Sequence, residues 1–356
     1  MKILLTNAPY LASVFGSAGC EVHLLSSPSR DRMVSETVKL VSADRLGIFA
    51  RAQYMAAYIR ENQIDVVFAQ GVWDLAFFGV VRRLTTSRYK IIVTSHNSYM
   101  WRSKWKPIAF ALSARLLSDG LVILCAGACG RIGSLSRVMR LRCWQVANPV
   151  ELSHYAAARS IPQPGPLRVG YIAVLRPLKG QEVLVRAAGI LKRAGCPVEI
   201  HLVGDFVDCE YKSRINRIVA EESLDGCVFL HGRVDHEAVP ALLASWDIYA
   251  CPSFSEMMPI NVLEAMAAGL PVVGSRIWGV EDAVEHGVNG YLVEPGSASE
   301  FADRLAQFGH DVELGKAFGS KAMEIVRSRF SAAAVWQQYE AAFQELGVIS
   351  RRCGIH

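Results

Sequence analysis

The chain has 356 residues, 51% of them hydrophobic and 20% charged, with a formal net charge of +5. That much apolar material argues against disorder, and the length suggests two domains rather than one. The basic excess is mild; it suits anionic ligands such as phosphates and is too small to argue for nucleic acid.

From the start of the chain, short β-branched runs alternate with helical patterns. Strands are expected at 2–6, 21–26, 65–70, 90–96, 120–125 and 143–148, with a helix at 47–62 whose apolar residues recur at i, i+3 and i+4. The opening "MKILLTNAPYLASVFGSAGC" reads as a strand and loop rather than a leader, because Asn7, Pro9 and Tyr10 interrupt the apolar run. No run of about 18 apolar residues predicts a membrane span. The nine cysteines are odd in number and form no C-x-x-C, which predicts free thiols in a reducing cytoplasm.

The stretch 153–168 holds three prolines and has no clear period, so it reads as a linker. Alternation then resumes. Strands are expected at 168–175, 198–204, 227–232, 247–253 and 271–275, and helices up to about 194 and at 210–222, 236–245 and 331–346. Strands alternating with helices imply βαβ units and parallel sheets. The fold class is therefore α/β, with two Rossmann-like domains facing across a cleft, divided at 155/156. Ligands in such sheets bind beyond the carboxyl ends of the strands.

One stretch carries the chemistry: "SFSEMMPINVLEAMAAGLPVVGS", 253–275. Glu256 falls in the loop after a strand, and Glu264 falls in the next helix. Pro259 suits the first helical turn, and Gly269 with Pro271 stops the helix after Ala268. Free N–H groups from Met258 to Asn261 make an anion site. Carboxylates repel phosphate but accept hydrogen bonds from hydroxyls. A ligand with phosphate in the middle and hydroxyls on both sides, such as a nucleotide-sugar, satisfies both demands. The alternative is a cap for one glutamate and a solvated position for the other.

These residues resemble the donor-site signature of the retaining GT-B glycosyltransferases of family 4, E-x7-E followed by A-M-A-x-G-x-P-V-V, which stands here as Glu256, Glu264 and "EAMAAGLPVVGS". "NPVEL" (148–152), "LKG" (178–180), "HLVGD" (201–205) and "FLHGRV" (229–234) extend the resemblance, and 329–343 is similar to the helix that returns to the first domain. It implies domains 1–155, completed by 331–356, for the acceptor and 156–330 for the donor. It further implies that Glu264 binds ribose, that Glu256 binds donor-sugar hydroxyls beside the amides of Met257, Met258, Pro259 and Ile260, and that Lys179 neutralises the diphosphate. Arg233 and Val234 lie near the base. His96, in "TSHNSYMW", approaches the reaction centre; a lone histidine can equally be structural.

Two features depart from the family. Its usual arginine position is Val174 here, so Arg176 either substitutes for it or is a solvated strand-end residue. No Gly-Gly follows the first strand, so Asn7, Ala8, Pro9 and Tyr10 form the acceptor-side lip. The resemblance implies transfer of a hexose with retention, from a UDP- or GDP-linked donor that is substrate and not cofactor, to a glycan or lipid-linked acceptor in envelope polysaccharide or lipopolysaccharide synthesis. No D-x-D occurs, so no metal is expected. Segment 99–110 interleaves Trp101 and Trp105 with Arg102, Lys104 and Lys106, which suits a cytoplasmic membrane face or an ordinary helix start. The competing functional reading is a catalytically weak nucleotide-sugar-binding partner subunit. A dinucleotide oxidoreductase would need a G-x-G-x-x-G that neither 7–12 nor 173–180 supplies.

Overall fold

The computed structural model describes residues 1–25, 38–43, 46–94, 103–155 and 165–349. His96 and residues 99–102 of the tryptophan-rich segment lie outside the described residues. The chain forms two units, Met1–Pro149 with Ser331–His356, and Val150–Phe330. The sequence reading put the first division at 155/156. In the structure the two crossing points are bonded, Val150 N donating to Phe330 O at 2.9 Å.

In the first unit the described strands are β1 (Lys2–Thr6), β2 (Glu21–Leu25), β3 (Lys39–Val41), β4 (Val66–Gln70), β5 (Lys90–Thr94), β6 (Gly120–Ile123) and β7 (Cys143–Gln145). They form one parallel sheet in the order β3-β2-β1-β4-β5-β6-β7. Helices α1 (Ala12–Ser17), α2 (Ile48–Glu61), α3 (Val72–Leu84), α4 (Lys106–Leu117) and α5 (Ala126–Val138) connect them. Strands and helices buried on both sides explain why β1, β4 and β5 read as continuous apolar runs rather than alternating ones. On one face, Ile3, Leu5, Phe68 and Ile92 pack against Phe15 of α1 and against Val335, Tyr339 and Phe343. Those last three belong to the final helix, Ala332–Glu345, so the end of the chain completes the first unit's core.

The second unit repeats the plan. Its strands are β8 (Leu167–Ile172), β9 (Val198–Val203), β10 (Val228–Gly232), β11 (Ile248–Cys251), β12 (Val272–Ser275) and β13 (Gly290–Val293), in the order β10-β9-β8-β11-β12-β13. All pairs are parallel. The helices are α6 (Gln181–Arg193), α7 (Cys209–Glu221), α8 (Val239–Ala244), α9 (Ile260–Ala267), α10 (Trp278–Glu281), α11 (Ala298–His310) and α12 (Val312–Arg329), with α13 (Ala332–Glu345) crossing back. Caps are chemically ordinary: Asp208, Ser297, Asp311 and Ser331 each accept a bond from a first-turn amide. Strands β3 and β13, of three and four residues, are absent from the sequence reading. No helix among the described residues is long and apolar enough to cross a membrane.

Candidate functional site

The order β8-β11 puts the loops following these two strands side by side at the carboxyl edge of the second sheet. The loop after β8 closes in a 3-10 turn, Pro177–Lys179, and Gly180 at φ +69° starts α6. A Cβ at Gly180 would stand 2.1 Å from the Pro252 carbonyl oxygen, so both the dihedral and the space demand glycine. That approach lets Phe254 N donate to Leu178 O at 2.9 Å and fastens the two loops together.

The fastening brings Lys179 against Glu256: Nζ stands 2.5 Å from Oε1, with side chains 18% and 11% exposed. The same oxygen accepts from Ser253 Oγ at 2.7 Å. Ser253 is itself 2.8 Å from the hydroxyl of Tyr171, and both are fully buried. A serine hydroxyl has one proton, and here it goes to the carboxylate, so Tyr171 must be the donor to Ser253. Glu256 is therefore oriented by a cation and by a two-step hydroxyl relay rising from the core.

Behind this loop lies Gly279 of α10. A Cβ there would stand 2.3 Å from the carbonyl carbon and oxygen of Met257 and 2.7 Å from Met258 N. Met257 and Met258 are buried, which leaves their backbone to shape the surface of the loop. Gly279→Ala should push the loop off its seat and destabilise the protein by about 1–3 kcal/mol, the usual range for overpacking. A urea midpoint equal to that of the unsubstituted protein would show that the loop is not seated on α10.

Pro259 does not enter the first helical turn. It is the N-cap of α9, with φ −71° and ψ 111°, because its carbonyl accepts the first helical bonds from Val262 and Leu263. Ile260 opens the helix. The amides of Ile260 and Asn261 hydrogen-bond to no described residue. Asn261, which sequence reasoning missed as a positioning residue, donates from Nδ2 to Ile172 O at 2.5 Å and ties the start of α9 to the end of β8. Only the "PIN" spacing hints at it, since asparagine at a helix start usually reads as a cap.

Glu264 lies in the second turn of α9 and is 8% exposed. Burial pushes its carboxyl up to about 7, against a hydrogen bond from the Tyr155 hydroxyl and the charge of His154, which both pull it down. His236 Nε2 is 3.7 Å from Oε1. Tyr155 and His236 also line a cavity of about 510 Å³, walled by Pro240, Ala241 and Ala268. That volume is in the range of small-molecule sites. Tyr155 comes from the 3-10 turn Leu152–Tyr155, inside the stretch read as linker; a tyrosine there gave no sequence signal because its partner is more than a hundred residues away.

The remaining candidates are more scattered. Arg176 caps the 3-10 turn, is exposed, and pairs with none of the described residues. Val174 is 53% exposed and its carbonyl accepts from the buried Gln181. Arg233 is exposed and Val234 half-buried just beyond the edge strand β10. In the first unit Asn7 is exposed at φ +50°, while Ala8 is fully buried. Pro9 and Tyr10 form a 3-10 turn, and the Tyr10 ring packs against the apolar core, where burial drives its hydroxyl pKa upward. Next to Asn7, Asp74 accepts from Thr6 Oγ1 at 2.5 Å and from Gln70 N at 3.2 Å, placing a carboxylate at the carboxyl edge of the first sheet that the sequence reading did not single out.

Residues 9–151 match the family model described as Glycosyltransferase Family 4, and residues 158–324 match the one described as Glycosyl transferases group 1. Among characterised relatives, the amylovoran biosynthesis glycosyltransferase AmsK of Erwinia amylovora is 35% identical over 41% of this chain and 38% of its own length. The D-inositol 3-phosphate glycosyltransferase of Pseudarthrobacter chlorophenolicus is 30% identical over 50% of this chain and 44% of its own. The chain thus spans less than half the length of these relatives. Among solved structures, HepE of Anabaena in complex with UDP superposes with a TM-score of 0.77 at 20% identity, covering 97% of this chain and 100% of that one. Sucrose-phosphate synthase of Thermosynechococcus elongatus does so at 0.78 and 16%, covering 98% and 99%.

Proposed function

We propose that this chain, which belongs to family 4 of the GT-B glycosyltransferases, is a retaining hexosyltransferase. It takes its hexose from a UDP- or GDP-linked donor and passes it, without a metal, to a glycan or lipid-linked acceptor in envelope polysaccharide or lipopolysaccharide synthesis at the cytoplasmic membrane face, which it meets peripherally through 99–110. The observation that carries the reading is the contact between Lys179 and Glu256 at 2.5 Å, with the buried Glu264 eight residues further on. An ammonium and a carboxylate that neutralise each other are each ready for a different part of one ligand. The donor diphosphate draws Lys179 away, and the released carboxylate accepts sugar hydroxyls. Glu264 accepts from the ribose. Superposable HepE has been solved with UDP-glucose, which supports a nucleotide-sugar as the donor.

As the glycosidic bond breaks, negative charge grows on the diphosphate. Lys179 and the Ile260 and Asn261 amides stabilise that charge, and the departing oxygen takes the acceptor proton on the same face of the sugar. The family resemblance implies a catalytic role for His96 as well. The test is thermal: UDP-, GDP- and ADP-sugars are added in turn. A donor at a hundred times its Kd stabilises by about 2.7 kcal/mol, a shift of about 5 °C or more for a unit of this size. No shift with any of them overturns the donor site. A shift without transfer or donor hydrolysis turns the reading into that of a nucleotide-sugar-binding subunit.

A further inference from the structure

The charge of the chain is distributed unevenly. Between residues 75 and 150 there are twelve lysines and arginines and a single acid, Asp119, in a protein whose net charge is only +5. That acid is already taken, holding Arg82 at 2.8 Å and Lys90 at 3.5 Å. The basic excess therefore belongs to one region of the first unit, that of α3, α4 and α5.

The same region exposes apolar side chains in register. On α3, Trp73, Val80 and Leu84 are 88%, 52% and 55% exposed; on α4 and its N-cap, Trp105, Leu112 and Leu116 are 76%, 49% and 75% exposed. The spacings of 7 and 4 on each helix place each trio on one face. The two stripes are neighbours. Gly79 lets α3 approach α4 closely, since a Cβ there would stand 3.0 Å from the Leu117 side chain. Strand order and right-handed crossovers put α2, α3, α4 and α5 on a single face of the sheet, opposite α1 and α13. Both stripes thus look outward from the same layer. Each helix starts at the carboxyl edge of the sheet, so Trp73 and Trp105 share that edge, and each stripe runs about 16 Å inward from it.

We infer that the outer face of α3 and α4 is a docking surface for an anionic lipid bilayer. This deepens the proposed function: it shares Lys104 and Trp105 with the 99–110 contact and rests in part on that reading, and it extends the surface to α3 and to the rest of α4. Charge complementarity selects the occupant. A protein partner for this face would have to be acidic and apolar at once, whereas an anionic bilayer offers negative headgroups above an apolar layer. Tryptophans are placed as interface residues are, at one edge of the patch. A nucleic acid would satisfy the arginines but would leave Trp73 and Leu116 in water or against phosphate.

The test is flotation of the full chain with vesicles of equal parts phosphatidylglycerol and phosphatidylcholine, against phosphatidylcholine alone, with no donor present. Binding is expected to the anionic vesicles only and to weaken as salt rises. The charge variant Arg83→Glu/Arg88→Glu/Lys104→Glu should bind about a hundredfold more weakly, at about fivefold for each basic residue lost. The variant Trp73→Ser/Trp105→Ser should lose about tenfold or more at constant charge. All five positions are exposed, so melting temperatures should be unchanged and confirm folding. No binding to anionic vesicles at low salt, or binding indifferent to both variants, overturns the inference. So does a concentration-dependent dimer that the tryptophan variant abolishes in the absence of lipid, since the face would then be covered by a second copy. Donor-induced thermal shifts on the same variants report on the glycosyltransferase reading separately.

Discussion

Replacing Glu256 by alanine is expected to cost about 3 kcal/mol of stability and to abolish donor turnover. The reason is asymmetric. Lys179 and Glu256 are 18% and 11% exposed, and their attraction offsets the desolvation of both. Removing the carboxylate leaves an ammonium largely buried and a Ser253 hydroxyl with no acceptor, while Tyr171 still donates from below. The reverse change, Lys179→Ala, should be milder for stability. Glu256 keeps its bond from Ser253 at 2.7 Å, so no buried hydroxyl loses its acceptor. For catalysis the order inverts: without the lysine the leaving diphosphate loses the cation that this reading sets against it, and kcat should fall by about a hundred- to a thousandfold. The double variant Lys179→Met/Glu256→Leu should recover most of the stability and none of the turnover. Urea unfolding of all three, beside donor hydrolysis, decides it; an unchanged midpoint for Glu256→Ala would mean that the pair is not formed in solution.

Glu264 predicts a pH dependence whose sign is opposite to that of an ordinary carboxylate. Burial raises its folded pKa to about 7, from 4.5. Between those values the folded state holds a proton that the unfolded chain has released, so stability falls as pH rises through that window and levels off above about 7. The loss is about 3 kcal/mol across the window, as an order of magnitude. Glu264→Gln should flatten this slope, because the amide carries no proton to lose. Donor binding should move the other way. The ionised carboxylate is the better acceptor for ribose hydroxyls, so affinity should rise as pH passes through about 7 in the unsubstituted protein and not in Glu264→Gln. Denaturation midpoints and donor titrations between pH 5 and 8.5 check both arms. A wild-type slope identical to that of the variant would place Glu264 in water.

Much of the fold was legible in the order of residues. Runs such as "KILLT" and "VVFAQ" are short, β-branched and apolar on both sides, and only a parallel sheet covered on two faces accommodates them. The helix after Pro259 could be read to its end, and it stops where Gly269 takes φ +78°. Its first residue was misplaced by one turn position because a proline fits both the N-cap and the first turn. The pairing of Glu256 with Glu264 was legible for a similar reason: they lie eight residues apart on one loop and helix, so local geometry ties both to the same helix start, and the donor role proposed for them came from the resemblance of the motif.

What the sequence by itself determined is thus what short range determines: strand and helix types, the doubled α/β plan, and a motif whose parts are neighbours in the chain. Tertiary structure decided the rest. Lys179 meets Glu256 across 77 residues, and Asn261 reaches Ile172 across 89. Tyr155 finds Glu264 from what the sequence presents only as linker. The apolar stripes of α3 and α4 look like ordinary core faces on paper, since a periodic pattern says that a helix has an apolar side and not what covers it. Only the packing of Phe78, Phe110 and Ala111 inward shows that Trp73 and Leu116 are left outside. Contacts between distant segments depend on strand order, and strand order is set by the global packing of the sheets, which no local window of sequence contains.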